Sequence, residues 1–183
     1  MRIISGQFKG KKLLEPNDKK TRPLKDLVKE SIFNIIEHSN EINFRLNEAV
    51  VLDLFSGSGS FGLECVSRGA KKVIFNENYI NAIEVLEKNI RSLNCDDKCE
   101  VLKSNCFNLF KKFNQKVDII FMDPPFKEKQ INILIKNIIS NKFLNKNGII
   151  IIHRHKKDDL KITDNLNILD VRNYGISKII IGN

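Results

Sequence analysis

VLDLFSGSGSFGLE, residues 51–64, carries an apolar run into an acid, then through a glycine-rich turn into the start of a new periodic segment. Extended back to Ala49, the run AVVLDLF is apolar at nearly every position, the pattern of a strand buried on both faces. Gly57 and Gly59 allow the turn to enter the positive-φ region and approach a ligand closely. SGSGSFGLECVSRG then continues as a helix ending near Gly69. Strand, tight turn and helix in this order are the first half of a βαβ unit.

The alternation repeats downstream. KKVIFNE (71–77) is predicted as a second strand, followed by a helix through NAIEVLEKNIRSL. CEVLKSN (99–105) is a third strand with a short helix around FNLFKKF. VDIIFMD (117–123) is a fourth with a helix over INILIKNIIS, and GIIIIH (148–153) is a fifth. NLNILDVRNYG and SKIIIGN have no helix between them and are expected to pair antiparallel. The sum is an α/β fold: a mostly parallel sheet covered on both faces, ending in an antiparallel hairpin that puts a reversed strand at one edge. Upstream, 1–14 reads as a basic hairpin broken at Gly6, EPNDKKTRP (15–23) as a loop, and 25–37 as a helix. Leu27, Val28, Ile32, Phe33, Ile35 and Ile36 form the apolar side of that helix, with Lys25 and Lys29 on the other. Residues 38–48 are polar and link. The chain thus divides into an N-terminal basic extension (1–48) and a main domain (49–183).

The 183 residues carry 31 Lys plus Arg against 22 Asp plus Glu, a net +9 that favours a polyanionic partner. Part of that surplus can follow from an AT-rich genome, since Lys, Asn and Ile are all abundant. No apolar run approaches the ~18 residues that span a bilayer, and MRIISGQFKGKK lacks a signal-peptide core. A cytoplasmic protein is therefore expected. Cys65, Cys95, Cys99 and Cys106 suit reduced thiols there, and no ligand spacing supports a metal.

In an open α/β sheet the ligand crevice lies beyond the carboxyl ends of the strands. This brings Asp53–Gly59, Glu77 and the stretch after strand four together. A pyrophosphate would be repelled by Asp53, whereas the cationic amino group of S-adenosylmethionine would be attracted. Glu77 can accept from two ribose hydroxyls, and Asn105 and Cys106 can flank an adenine. Alone, Asp53 reads equally as a turn-capping acid and Glu77 as a solvated strand end; their placement at the ends of successive strands favours the cofactor.

After strand four comes DPPF. Each residue before a proline is pushed into an extended conformation, and neither Pro124 nor Pro125 has an N–H to donate. The backbone carbonyls beside Asp123 are therefore expected to be free, a rigid fan of acceptors. The Asp123 carboxylate and Pro124 carbonyl can hold the two hydrogens of an exocyclic amino group. Phe126 can stack on its base, a contact worth ~1–3 kcal/mol. Positioning of this kind can supply ~7–11 kcal/mol of a barrier. The bland alternative is an Asp-Pro turn followed by a core Phe.

Over nearly its whole length the chain resembles the RsmD family of 16S ribosomal RNA guanine-N2 methyltransferases, which use S-adenosylmethionine. The resemblance rests on MRIISGQFKGKKL, RPLKDLVKESIFNII, VLDLFSGSGSFGLECVSRGAKKVIF, DIIFMDPPF and YGISKIII. It implies a Rossmann-like methyltransferase sheet, with a cofactor loop at Asp53, Phe55, Ser56, Gly57, Ser58 and Gly59. It further implies a ribose-binding acid at Glu77 and an amino-group clamp at Asp123, Pro124, Pro125 and Phe126. Asn105 stands where the family usually has Asp, Leu24 and Lys25 replace two hydroxyl residues, and Phe126 replaces the more frequent Tyr. The RNA side is expected to use Arg2, Lys9, Lys11, Lys12, Arg22, Lys25 and Lys29, with Arg154 from HRHKK at the crevice rim. His153 and His155 read as solvated or RNA-facing more readily than as a base. The expected partner is 16S rRNA in the small ribosomal subunit or an assembly intermediate, met as a monomer and at an unpaired or flipped-out guanine. Two alternatives stay open: an amino methyltransferase for another base, and a catalytically idle RNA-binding factor. An NAD oxidoreductase is disfavoured by the loop.

Overall fold

The central strand of the sheet is β1 (Val50–Leu54), the VLDLF run quoted above. The computed structural model describes residues 1–18, 24–39, 42, 45–111, 113–158 and 166–183. Around β1 stand β2 (Lys72–Glu77), β3 (Cys99–Lys103), β4 (Val117–Met122), β5 (Leu144–His155), β6 (Ile168–Tyr174) and β7 (Ser177–Gly182). The helices are α1 (Asp26–His38), α2 (Ser60–Ser67), α3 (Ile80–Ser92), α4 (Cys106–Leu109) and α5 (Ile131–Ser140). The seven strands lie in the order β3-β2-β1-β4-β5-β7-β6.

β1 pairs in parallel with β2 on one side and β4 on the other, Asp53 facing Phe75 and Phe121 in register. The chain reverses its direction of travel across the sheet between β1 and β4, and the crevice at such a reversal is where α/β sheets bind ligands. Asp53 sits near the end of β1, Glu77 ends β2, and Asp123 follows β4 directly.

Both faces of the sheet are covered, which is why the strands are near-continuous apolar runs. Val51, Ile119, Phe121, Ile151 and Ile179 point to a core shared with α1, α2, α3 and the N-terminal residues. Leu52, Leu54, Ile120, Met122 and Ile150 point the other way, onto α4 and α5. In the first core, Phe61 stacks between Phe33 and Phe121, with ring centroids 5.2 and 3.9 Å away. Every residue of α2 is buried.

The first fourteen residues form the expected hairpin, closed by the Arg2–Lys12 bridge and by amide bonds from Ile3 to Lys11 and Leu13 to Met1. Ile3, Leu13, Val28, Phe33 and Leu46 join the same core as the sheet, so the hairpin and α1 lie against it rather than apart.

Two expectations change. The terminal strands do pair antiparallel, but the reversed strand β7 is not at the edge. It lies between β5 and β6, and β6 is the edge strand. The reason is composition: Ile179, Ile180 and Ile181 need cover on both faces, whereas β6 leaves Ile168 and Val171 exposed. β5 also starts earlier than Gly148, because Val117 pairs with Leu144 across a register shift.

Candidate active site

The turn after β1 holds a conformation that few side chains accept. Phe55, Gly57 and Gly59 have φ of 57°, 55° and 86°. At Gly59 an added Cβ would lie 2.4 Å from Leu86 Cδ1, so both conformation and space demand glycine. Phe55 is not a glycine, and its left-handed backbone costs on the order of 1–3 kcal/mol. Three contacts hold it there: the Ser56 amide donates to the Asn76 carbonyl at 3.2 Å and the Gly59 amide to Ser56 at 2.8 Å, while the Gly57 amide donates to Glu77 Oε2 at 2.8 Å.

Asp53 is 1% exposed, and its Oδ2 accepts from the Gly62 amide at 3.0 Å. Burial pushes its carboxyl well above the usual carboxylate range. The Gly62 amide opposes that rise, and the nearby carboxylates of Asp123 and Glu77 reinforce it. All three acids line one cavity of about 600 Å³, which Phe55, Phe126 and Met1 also border. A convergence of carboxylates of this kind suits a cationic guest. It would repel a pyrophosphate.

Glu77 Oε1 also accepts from the Asn78 and Tyr79 amides, at 2.8 and 2.9 Å. Its carboxylate therefore ties the turn after β1 to the start of α3. A smaller hollow of about 180 Å³ adjoins, sharing Phe55, Glu77, Asn78 and Pro125 with the first and adding Asn105, Cys106 and Phe107. Asn105 Oδ1 caps α4 by accepting from the Phe107 amide at 2.9 Å. Burial pushes the Cys106 thiol up to about 12, leaving it a neutral wall. Asn76, which the sequence reading passed over, donates through Nδ2 to the Leu102 and Ser104 carbonyls, at 3.1 and 3.0 Å. It thereby fixes the ends of β2 and β3.

After β4, Asp123 Oδ1 lies 2.8 Å from His153 Nδ1, and His153 Nε2 lies 2.9 Å from Ser177 Oγ. The Phe126 ring meets the edges of His155 and His153, with centroids 5.2 and 6.1 Å away. The carbonyls of this stretch are not the free fan that the two prolines suggested. Arg154 Nη1 donates to Pro125 at 3.1 Å, and Arg154 Nη2 to Phe126 and Glu128 at 3.1 and 3.0 Å. Among the described residues no hydrogen bond engages the Pro124 carbonyl, the one assigned to the clamp.

Residues 1–183 match a family model described as Conserved hypothetical protein 95. The chain is 32% identical over 179 residues to ribosomal RNA small subunit methyltransferase D of Haemophilus influenzae, spanning 96% of this chain and 90% of that one. The chain belongs to the RsmD family. The protein of the same name from Buchnera aphidicola subsp. Baizongia pistaciae is 36% identical over 163 residues, 89% of this chain and 80% of that one. The solved structure of yhhF from Escherichia coli superposes with a TM-score of 0.85 at 27% identity, covering 100% of this chain and 96% of that one.

In this RsmD-family chain the basic residues divide. Arg2, Lys9, Lys11, Lys12 and Lys25 are exposed, and Arg22 lies outside the described residues. Lys29 and Arg154 are not on the surface at all. Lys29 is fully buried, 3.4 Å from Glu64 Oε2, and donates to the Arg2 carbonyl at 2.7 Å. Arg154 is 2% exposed and pairs with Asp158. Their charges are spent on the fold, not on phosphates. His153, expected in solvent or facing RNA, is likewise 2% exposed. Helical periodicity had placed Lys29 on the polar side. No local signal marks a buried partner 35 residues away in sequence.

Proposed function

We propose that this RsmD-family chain transfers a methyl group from S-adenosylmethionine to the N2 amino group of a guanine in 16S rRNA, within the small ribosomal subunit or its assembly intermediate. It acts as a cytoplasmic monomer. The supporting names are those of its relatives, ribosomal RNA small subunit methyltransferase D. The observation that carries the reading is the single cavity in which Asp53 and Glu77 face the DPPF stretch.

S-adenosylmethionine would supply an electrophilic methyl on a sulfonium. Its cationic amino group fits the buried Asp53, its ribose the Glu77 carboxylate, and its adenine the hollow walled by Phe55, Asn105 and Cys106. Phe55, Ser56, Gly57, Ser58 and Gly59 form the rigid floor of that site. On the substrate side Asp123 and the Pro124 carbonyl accept the two amino hydrogens, and Phe126 stacks on the base. Pro124 and Pro125 hold the acceptors in place with little entropy left to lose. The nitrogen lone pair is thereby turned out of conjugation and toward the methyl, so the rate comes from orientation rather than a strong base. Arg2, Lys9, Lys11, Lys12 and Lys25 neutralise RNA phosphates; Met1, Pro16 and Leu24, from the same N-terminal segment, line the cavity.

The test is transfer of labelled methyl from S-adenosylmethionine to small-subunit particles from cells lacking the protein, followed by digestion to nucleosides. Label in N2-methylguanosine, absent with Asp123→Ala, is the expected result. Label in another nucleoside keeps the mechanism and overturns the specificity. Absence of cofactor binding overturns the whole reading in favour of an idle RNA-binding factor.

A further inference from the structure

His153 sits on the last part of β5, opposite Ile179 of β7, and its ring lies between Asp123 and Ser177. A carboxylate oxygen only accepts, so the 2.8 Å contact to Asp123 Oδ1 requires a proton on Nδ1. In the neutral ring Nε2 is then an acceptor, and the Ser177 hydroxyl, itself buried, is the donor 2.9 Å away. In the imidazolium both nitrogens donate and the Ser177 hydroxyl accepts, so Nδ1 carries a proton in either form. Flipping the tautomer would set an Nδ1 lone pair against a carboxylate in a buried site. Among the described residues, the Phe126 ring at 6.1 Å and the Asp53 carboxylate on β1, which feels the charge of Asp123, also face this pair.

We propose that His153 is a positioning residue for the transfer: held in its Nδ1–H tautomer by Ser177, it sets the plane of the Asp123 carboxylate against the substrate amino group. This rests on the function proposed above. The torsion that turns an aspartate carboxylate is broad and two-fold, so nothing in the side chain itself fixes that plane. The bond from His153 removes this freedom on the oxygen it holds. The remaining rigidity comes from the Pro124 ring and from the guanidinium of Arg154, the residue next to His153, on the carbonyls that follow. Two adjacent β5 side chains thus hold the two halves of the DPPF stretch: His153 the carboxylate, Arg154 the carbonyls.

Two measurements test it. In full-length protein labelled with ¹⁵N-histidine, the His153 signal, assigned by its loss in His153→Asn, should show a proton on Nδ1. A proton on Nε2 alone, or rapid averaging of the two tautomers, overturns the proposal. In the methyl-transfer assay, His153→Ala should lower kcat on the order of 10²-fold, as misplacement of a reacting partner does, with S-adenosylmethionine affinity unchanged. His153→Asn, whose amide N–H can stand near the place of Nδ1, should recover most of that loss. Equal activity of the Asn and Ala variants, or an unchanged kcat in both, overturns it. If the Ala variant fails to fold, the tautomer and the kcat of the Asn variant decide. A wild-type enzyme that transfers no label at all sinks the reading of function on which this stands, and is thereby told apart from failure of the histidine's role.

Discussion

At Asp53 burial shifts a carboxyl that lines the cavity. Its folded-state value is raised by burial, so in the unliganded protein it stays protonated above the pH at which the unfolded chain ionises. Its contribution to stability is full at low pH and is lost as pH rises through the folded value. A cationic amino group reverses the preference, favouring the carboxylate. Cofactor affinity should therefore rise with pH across the Asp53 titration, with proton release on binding below it. Calorimetry in two buffers of different ionisation enthalpy measures that release. Asp53→Asn should abolish it and weaken binding most above the Asp53 titration. A flat affinity profile in the wild type would separate Asp53 from the cofactor.

At the scale of elements, β5 and α2 each hold a neighbouring segment through buried charge. Arg154 on β5 bonds three carbonyls of the 125–128 turn. Arg154→Met keeps the aliphatic stem and removes the donors. Amides of residues 126–128 should then exchange faster, with stability lower by about 1–3 kcal/mol. The salt dependence of RNA binding should not change; a slope reduced by about one charge would restore the phosphate role instead. On α2, Glu64 is fully buried and gathers Lys29, Arg68 Nε at 2.9 Å and the amides of Ile4 and Ser5, at 2.8 and 2.9 Å. Arg68 also reaches Glu37 at 2.7 Å and lies over the Phe33 ring. Burial lowers the Lys29 value, and Glu64 is the main group opposing that. Glu64→Gln leaves the buried Lys29 without its 3.4 Å partner and Arg68 with Glu37 as its acid, and should cost about 3–5 kcal/mol in urea denaturation. The N-terminal hairpin is expected to loosen first.

At the scale of the molecule, the strand ends that carry Asp53, Glu77 and Asp123 share one cavity with Met1, Pro16 and Leu24 of the N-terminal segment. The RNA reading predicts that Lys11→Gln combined with Lys12→Gln shallows the plot of log K against log salt by about 0.7–0.9 per charge removed. Methylation of a free nucleoside, if detectable, should be unaffected. Unchanged salt slopes would place the RNA elsewhere. The core that supports this cavity is continuous across α1, α2 and β4 through Phe33, Phe61 and Phe121. Phe61→Ala should cost about 3–5 kcal/mol and lower the midpoint of a single unfolding transition.

Much of this architecture is readable in one dimension. Apolar runs identify β1, β2, β4 and β5, the glycines after β1 identify the turn, and the acids at strand ends follow from where parallel sheets open. These signals are local: burial on two faces demands uniform apolarity, and positive φ demands glycine. The fates of Lys29, Arg154 and His153 are not readable in that way. Periodicity places a polar side chain on a face. Whether burial there is tolerable depends on a partner brought up by the fold: Glu64 for Lys29, the 125–128 carbonyls for Arg154, Asp123 and Ser177 for His153. Strand order decides the meeting with Ser177, since β7 lies beside β5. The sequence alone determined the sheet and the two ends of the site. The tertiary structure decided which charges hold it together, because a buried charge is stable only beside a partner, and these partners lie far away along the chain.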